Sequence, residues 1–440
     1  VAVDNAVASA VWPLLMRDIS VERTKPENVG MSSARLKQVS AWLQTQVSSE
    51  RLAGASLAIA RRGRMVFQET AGLSDQASGQ AFSDDTIVRI FSMTKPITTV
   101  AAMMLYERGC FQLDHPVARY IPAFEQTQVW LGGDLTNTAP QATRMTVRQL
   151  MTHTSGLTYG FMNQNVVDED YRARGLDQNK ETCLADWVDQ LAAVPLLCQP
   201  GTEWHYSVAT DVLGRLVEIW SGQSLADFFE QEIFGPLAMS DTGFSVPADQ
   251  AHRFSSLYRP SSGAVMGAKS PPANPLKDRD PGLLLLDPMA TSPYFKTPKF
   301  QSGGGGLVAT IDDYCRFCQM LMNGGILDKA RLLSPKTIDY MRLNQLPNGA
   351  DLAAMGQAVW SETNYEGIGF GIGWAVVIDP VKANIVASVG EHHWGGAAST
   401  FFWLDPKEDL FVVFLTQLLP SSTYPLRREL RAQVYQSLLD

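Results

Sequence analysis

Gly54-Ala55-Ser56-Leu57-Ala58-Ile59-Ala60 is followed by Arg61-Arg62-Gly63-Arg64 and then by Met65-Val66-Phe67-Gln68-Glu69-Thr70. Two short apolar runs around a charged, glycine-containing turn predict an antiparallel strand pair. A short strand is predicted over 86–90. Strand texture then fades and returns only in the last third, over 371–379, 383–389, 400–404 and 410–416. These runs are short, β-branched or aromatic, and separated by turns, which predicts an antiparallel meander. Between the two strand-bearing ends, residues 114–220 alternate short helical patterns with loops. Helices are predicted over 207–220 and 225–234, and a terminal amphipathic helix over 426–439. The economical fold is α/β (α+β): one antiparallel sheet built from both chain ends and flanked by helices, with a mainly helical domain inserted. The division this predicts is 1–110 with 300–440 for the α/β domain and 111–299 for the insert. Eight of the 24 prolines fall within 260–298, which reads as an ordered loop or linker.

Composition agrees with a globular chain. Of 440 residues, 45% are hydrophobic and 18% charged, enough for a sizeable core. Lysine and arginine total 36 against 45 acidic residues, a net charge of −9. A mildly acidic chain without a basic block is a poor partner for nucleic acid or an anionic membrane. No stretch approaches the ~20 apolar residues of a membrane span. Five cysteines do not make a disulfide framework. Cys315 and Cys318 form a C-x-x-C inside an amphipathic helical pattern, which reads as helix packing. Residues 1–16 lack the basic start of a secretory signal; this favours the cytoplasm slightly and leaves a trimmed leader open.

Several chemistries have no motif to stand on. There is no Gly-x-Ser-x-Gly elbow, no phosphate loop and no His-Glu-x-x-His. His392 and His393 are adjacent, and neighbours on a strand point to opposite faces, so they do not make a metal pair. No cofactor and no metal are expected.

What remains is Ser92-Met93-Thr94-Lys95-Pro96, which opens an apolar helix running to about residue 107. Ser92 is the one serine in the chain followed by lysine at the third position. That spacing puts both side chains on one helix face, where the ammonium can stabilise or deprotonate the hydroxyl. Proline suits the first helical turn. A serine there can also be a plain helix cap. The second element is His205-Tyr206-Ser207-Val208, after the turn Pro200-Gly201-Thr202. A tyrosine at the mouth of a helix can be a general base if a cation such as Lys95 lowers its pKa. The third is Trp394-Gly395-Gly396-Ala397, on the run into a strand. Its glycines let backbone approach a ligand closely, so an N–H there can serve as an oxyanion donor. Trp394 reads equally as acyl-pocket wall or as core.

These three elements, in this order, resemble the serine β-lactamase and penicillin-binding protein superfamily, and within its class C-like branch the family VIII carboxylesterases. Leu150-Met151-Thr152-His153-Thr154-Ser155-Gly156-Leu157 is similar to one family segment, and Gly303-Gly304-Gly305-Gly306-Leu307 to another. The resemblance spans roughly 51–416. It implies a β-lactamase/transpeptidase-like fold with the active site between an α/β and a helical domain. It implies Ser92 as nucleophile, Lys95 and Tyr206 sharing the proton work, and the N–H groups of Ser92 and Ala397 holding the oxyanion. Trp394, Gly395 and Gly396 would shape the substrate side. His153 is expected to bond a turn, and 303–306 could be a simple flexible link. Two positions depart from the β-lactamase pattern. Val208 stands where that pattern has asparagine, and Trp394-Gly395-Gly396 replaces Lys-Thr-Gly, so no cation is expected there to hold a carboxylate. The expected activity is therefore a serine carboxylesterase acting on short-chain esters through an acyl-enzyme. A β-lactamase, D-alanyl-D-alanine peptidase or acyltransferase using the same site is the alternative, and an inactive recognition module a second one. The expected partner is a small-molecule ester, and the oligomeric state is left open.

Overall fold

A computed structural model describes residues 23–177, 181–262, 282–356 and 365–440. Strands β1 (Gly54–Arg61) and β2 (Arg64–Asp75) form the predicted hairpin. Its two turn residues, Arg62 and Gly63, have φ of +52° and +69°. Positive φ at both positions lets the turn match the twist of the flanking strands. β3 (Gln80–Ala81) extends this edge. The chain's last third adds β4 (Ile368–Phe370), β5 (Ala375–Val377), β6 (His392–Gly395), β7 (Phe401–Asp405) and β8 (Leu410–Thr416). They join in the order β4-β5-β6-β7-β8-β1-β2-β3, antiparallel throughout. β8 closes the sheet against β1, with Ala55 opposite Thr416 and Arg61 opposite Leu410.

Helices cover both faces of the sheet. They are α1 (Ser33–Ser48), α2 (Thr94–Glu107), α3 (Ala209–Ser221), α4 (Ile311–Met322) and α5 (Leu426–Tyr435). Leu57, Ile59, Val412 and Phe414 pack with Leu36, Val39 and Leu43 of α1 and Leu430 and Val434 of α5. The alternate residues Ala58, Ala60, Phe411 and Val413 belong to the second core, with Val100 of α2 and Phe317 of α4. With a helical layer on each side, every residue of β1 and β8 is buried. Cys315 and Cys318 lie buried in α4, and all five cysteines are free.

Four predicted elements change. Residues 383–389 form turns rather than a strand. Asp379 Oδ1 accepts from the N–H groups of Val381 and Lys382, and Ala383, Asn384 and Ile385 N–H groups bond back to Asp379, Val381 and Pro380 carbonyls. A side-chain-capped turn overrides the valine-rich composition, leaving Val381, Val386 and Val389 exposed. The strand expected over 371–379 is confined to β5. The predicted 86–90 strand contracts to Val88–Arg89, which pairs with Val308–Ala309. The helix from Leu225 becomes a π-helical turn at Glu230–Phe234. Part of the proline-rich stretch, 263–281, and residues 1–16 lie outside the described residues. No helix among the described residues is long and apolar enough to cross a membrane.

Candidate active site

Val88–Arg89 delivers the chain into a tight turn, Phe91–Met93, that opens α2. Phe91 has φ of +43°, a left-handed conformation that costs a bulky residue energy and so must be held by its surroundings. The holding contacts are specific. Ile90 N–H donates to the Leu307 carbonyl at 3.1 Å, Met93 N–H to the Ile90 carbonyl at 3.0 Å, and Tyr314 Oη to the Met93 carbonyl at 3.0 Å. Ser92 thereby faces a cavity of about 510 Å³.

Lys95, one turn on, is 1% exposed. Its Nζ donates to Ser92 Oγ at 3.3 Å, Tyr159 Oη at 2.9 Å and the Gly304 carbonyl at 2.6 Å. Three acceptors match the three donors of an ammonium. Tyr206 sits just ahead of α3, which packs against α2. Its hydroxyl hydrogen-bonds Ser92 Oγ, and its ring centroid lies 4.7 Å from Lys95 Nζ. The structure thus gathers Ser92, Lys95 and Tyr206 around one oxygen.

Behind Lys95 lies a group the sequence reading did not single out. Asp211 of α3 is buried and accepts from Ser302 Oγ at 2.5 Å and Gly304 N–H at 3.0 Å. Burial raises its carboxyl, while the Lys95 cation and these donors lower it, with burial the larger influence. The glycine run is no slack link. A Cβ on Gly304 would meet Asp211 Oδ2 at 2.5 Å, and one on Gly303 would meet the Thr210 carbonyl at 2.8 Å. Only glycine lets this segment press against α2 and α3 and aim the Gly304 carbonyl at Lys95.

Tyr159 is the second residue not anticipated. Burial first, then Tyr206, Asp211 and Asp177, push its hydroxyl well above the usual tyrosine range, so it stays neutral. It lies two residues beyond the 150–157 segment, the one local signal that could have drawn attention to it. His153 is buried, and burial followed by the Lys95 cation holds its imidazole well below the ordinary value. Its Nδ1 is 3.0 Å from Ser207 Oγ, and its ring lies 5.2 Å from that of Tyr206. This neutral ring packs against Tyr206.

Trp394, Gly395 and Gly396, on or just beyond β6, also line the cavity, with Ala397 next. The Trp394 ring contacts Tyr206 and Phe370 at 5.6 and 5.3 Å between centroids. The two glycines admit protein neighbours rather than ligand. A Cβ on Gly396 would meet the Ile90 carbonyl at 2.3 Å, and one on Gly395 would meet Arg427 Nη2 at 2.2 Å. Gly396 N–H donates to the Thr400 carbonyl at 2.8 Å, which commits it within the turn. One expectation is overturned here. A cation does stand beside Trp394-Gly395-Gly396: Arg427, delivered by α5, with its guanidinium 5.5 Å over the Phe401 ring. It comes from a helix distant in sequence, where a local motif cannot reveal it. Val208 lines the same cavity, as do Phe161, Phe244 and Phe300.

His392 and His393 lie on β6. Burial holds His392 at about 4. His393 Nδ1 lies 3.4 Å from the fully buried Glu391, which Arg431 also contacts at 2.6 Å.

The family model described as Beta-lactamase matches residues 39–436. Protein Rv1367c of Mycobacterium tuberculosis is 33% identical over 84% of this chain and 86% of its own length. Esterase EstB of Burkholderia gladioli is 32% identical over 88% of this chain and 91% of its own. Among solved structures, EstCE1, a hydrolase with promiscuous acyltransferase activity, superposes with a TM-score of 0.73 at 26% identity, covering 91% of this chain and 98% of its own.

Proposed function

The chain belongs to the Beta-lactamase family and is a serine hydrolase of that fold; from this premise we propose that it is a carboxylesterase that cleaves short-chain esters through an acyl-enzyme on Ser92. The observation that carries this reading is the convergence of Lys95 and Tyr206 on Ser92 Oγ beside an apolar cavity. Tyr206 takes the Ser92 proton as Oγ attacks the ester carbonyl, forming the C–O bond. Lys95, an ammonium held by three acceptors, stabilises the phenolate form in which Tyr206 accepts that proton. The backbone N–H groups of Ser92 and Ala397 hold the carbonyl oxygen as it becomes negative. Collapse breaks the bond to the leaving alkoxide, which takes the proton from Tyr206. Water, deprotonated by Tyr206, then attacks the acyl carbonyl; the bond to Ser92 Oγ breaks, Oγ takes the proton back from Tyr206, and the acid leaves. In this scheme Trp394, Gly395 and Gly396 shape the acyl side. The helical insert over 111–299 is assigned the opposite wall through Tyr159, Val208 and Phe244, which supports the two-domain division as part of the same proposal.

A second reading, acyl transfer to an alcohol, is favoured by the aromatic walls at Phe161, Phe300 and Trp394, which can hold an organic acceptor in place of water. The curated Acyltransferase calJ of Penicillium decumbens is 28% identical over 84% of this chain. A kinetic panel tests both readings. A butyrate ester, a cephalosporin and a D-Ala-D-Ala peptide are compared, with and without an added alcohol. With Val208 in place of an amide but Arg427 present, kcat/KM for the ester should exceed that for the cephalosporin by at least about tenfold, the value of one lost contact. Comparable values overturn the esterase reading. A butyrate product partitioning mainly to the added alcohol would favour acyl transfer. Failure to label with a fluorophosphonate would leave only a recognition module.

A further inference from the structure

Just before Tyr206 the chain turns at Pro200-Gly201-Thr202 and brings three dissimilar side chains together. Cys198 Sγ, a Glu203 carboxylate oxygen and a His205 ring nitrogen all lie within 4.8 Å of one another. His205 Nε2 is 2.9 Å from Glu203 Oε2. The backbone carrying them is fixed from behind. Leu197 N–H donates to the Gly156 carbonyl at 2.7 Å, Gly201 N–H to the Thr154 carbonyl at 2.7 Å, and His205 N–H to the His153 carbonyl at 2.9 Å. The cluster is therefore assembled before any ligand arrives. Cys198 forms its buried floor, His205 is half-buried, and Glu203 is open to solvent, so a small solute has a way in. The catalytic scheme uses none of the three.

We propose that Cys198, Glu203 and His205 bind one zinc-class divalent cation, and that its binding slows hydrolysis by shifting Tyr206. One thiolate, one imidazole and one carboxylate form the mixed ligand set that zinc accepts, with water completing a tetrahedron. With metal–ligand bonds of about 2.0–2.3 Å, tetrahedral ligand atoms stand about 3.3–3.7 Å apart. The present spread closes to that by side-chain rotation together with a small shift of the chain at His205. Burial, with Glu203 adding to it, pushes the Cys198 thiol up to about 11. Capture therefore breaks the S–H bond, releases the proton to solvent and forms a sulfur–metal bond, with no change of oxidation state. His205 is the immediate chain neighbour of Tyr206, whose hydroxyl touches Ser92. A pull on the His205 ring moves the tyrosine, and small displacements at a reacting group are costly in rate.

Only the inhibitory half rests on the proposed esterase mechanism; the binding half is read without substrate. The full chain, reduced and freed of metal with EDTA, is titrated with Co2+ and followed at the near-ultraviolet thiolate-to-cobalt absorption. One Co2+ per chain with a thiolate band is expected. Cys198→Ser should abolish the band, and Glu203→Gln or His205→Gln should weaken binding by about tenfold or more. Cys183→Ser and Cys315→Ser should leave it unchanged. Zn2+ should displace the cobalt and lower ester turnover. EDTA should restore that turnover, and Cys198→Ser should turn over normally and resist zinc. No thiolate band, or a band that survives in Cys198→Ser, overturns the site. A normal band with turnover indifferent to zinc overturns the link to Tyr206 and upholds the site.

Discussion

Ser92 and Trp394-Gly395-Gly396 both line the cavity and are held in place by opposite means. The Ser92 side is tied by charge and hydrogen bonding. Lys95 spends three donors on three acceptors, Gly304 is fixed in turn by Asp211, and Tyr206 reaches Ser92 over a neutral His153. The β6 side is tied by volume. Gly396 is wedged on the Ile90 carbonyl, Gly395 on Arg427, and Trp394 Nε1 has no hydrogen-bond partner among the described residues. One wall therefore depends on which functional groups are present, and the other on how much space they leave. Substitutions on the first should cost rate with little stability, and substitutions on the second should cost both.

The sharpest break of this contrast is Ser92→Ala. Ester turnover should fall by at least about four orders of magnitude, with the melting temperature held. Wild-type turnover in the purified variant would remove Ser92 from the chemistry. Next come Lys95→Ala and Tyr206→Phe. Each should lower kcat by about a thousandfold, and the double variant by little more than the worse single one, because groups that act as a unit are not additive. Losses that multiply would separate the two residues.

A smaller effect is expected on the steric wall. Gly396→Ala places a methyl group against backbone that cannot rotate away, so a loss of about 1–3 kcal/mol is expected, together with reduced kcat. Gly395→Ala meets the movable end of Arg427 and should be milder. Thermal melts and ester assays on the pair decide it, and equal penalties would show that the wall is not held by contact with the Ser92 turn.

The smallest effect concerns pH, again on β6. Burial holds His392 at about 4 against an ordinary 6.5, so the unfolded chain takes up a proton that the folded one refuses. The stability this supplies is complete above 6.5 and is lost as pH falls from 6.5 towards 4. Burial alone would raise Glu391, but Arg431 and then His393 outweigh it and hold it at about 2, below an ordinary 4.5. Its contribution is present above 4.5 and lost as pH falls towards 2. The melting temperature should start to decline near pH 6.5, and His392→Gln should remove the first part of that decline. A His392→Gln profile that matches wild type would take His392 out of the account.

Legibility followed the range of the interactions. The β1–β2 hairpin and β8 could be read because strand period and turn chemistry are local; β1 and β8 are found almost residue for residue, while β2 continues past Thr70 to Asp75. The grouping of Ser92 with Lys95 was legible because three residues span one helical turn. Tyr206 could be joined to them only through the resemblance, since α3 meets α2 by packing. α1 was not read, because Leu36, Val39, Leu43 and Gln46 are its only buried positions among polar neighbours. The 383–389 run was misread because composition outweighed the Asp379 cap. Arg427 and Asp211 were invisible for a common reason: each acts on a segment far from it in sequence, and nothing local marks the meeting.

The pairing of β1 with β8 has a consequence for how the protein is made. Thr416 Oγ1 donates to the Gly54 carbonyl across 362 positions of sequence. A ribosome therefore releases the hairpin, the Ser92 turn and the whole helical middle long before the strand that completes the sheet exists. Throughout that interval β1 presents an unpaired apolar edge on a growing chain, the kind of surface that invites wrong partners. Contacts of such long range also slow closure once synthesis ends. The nascent chain thus carries Ser92 early and completes the sheet beside it last.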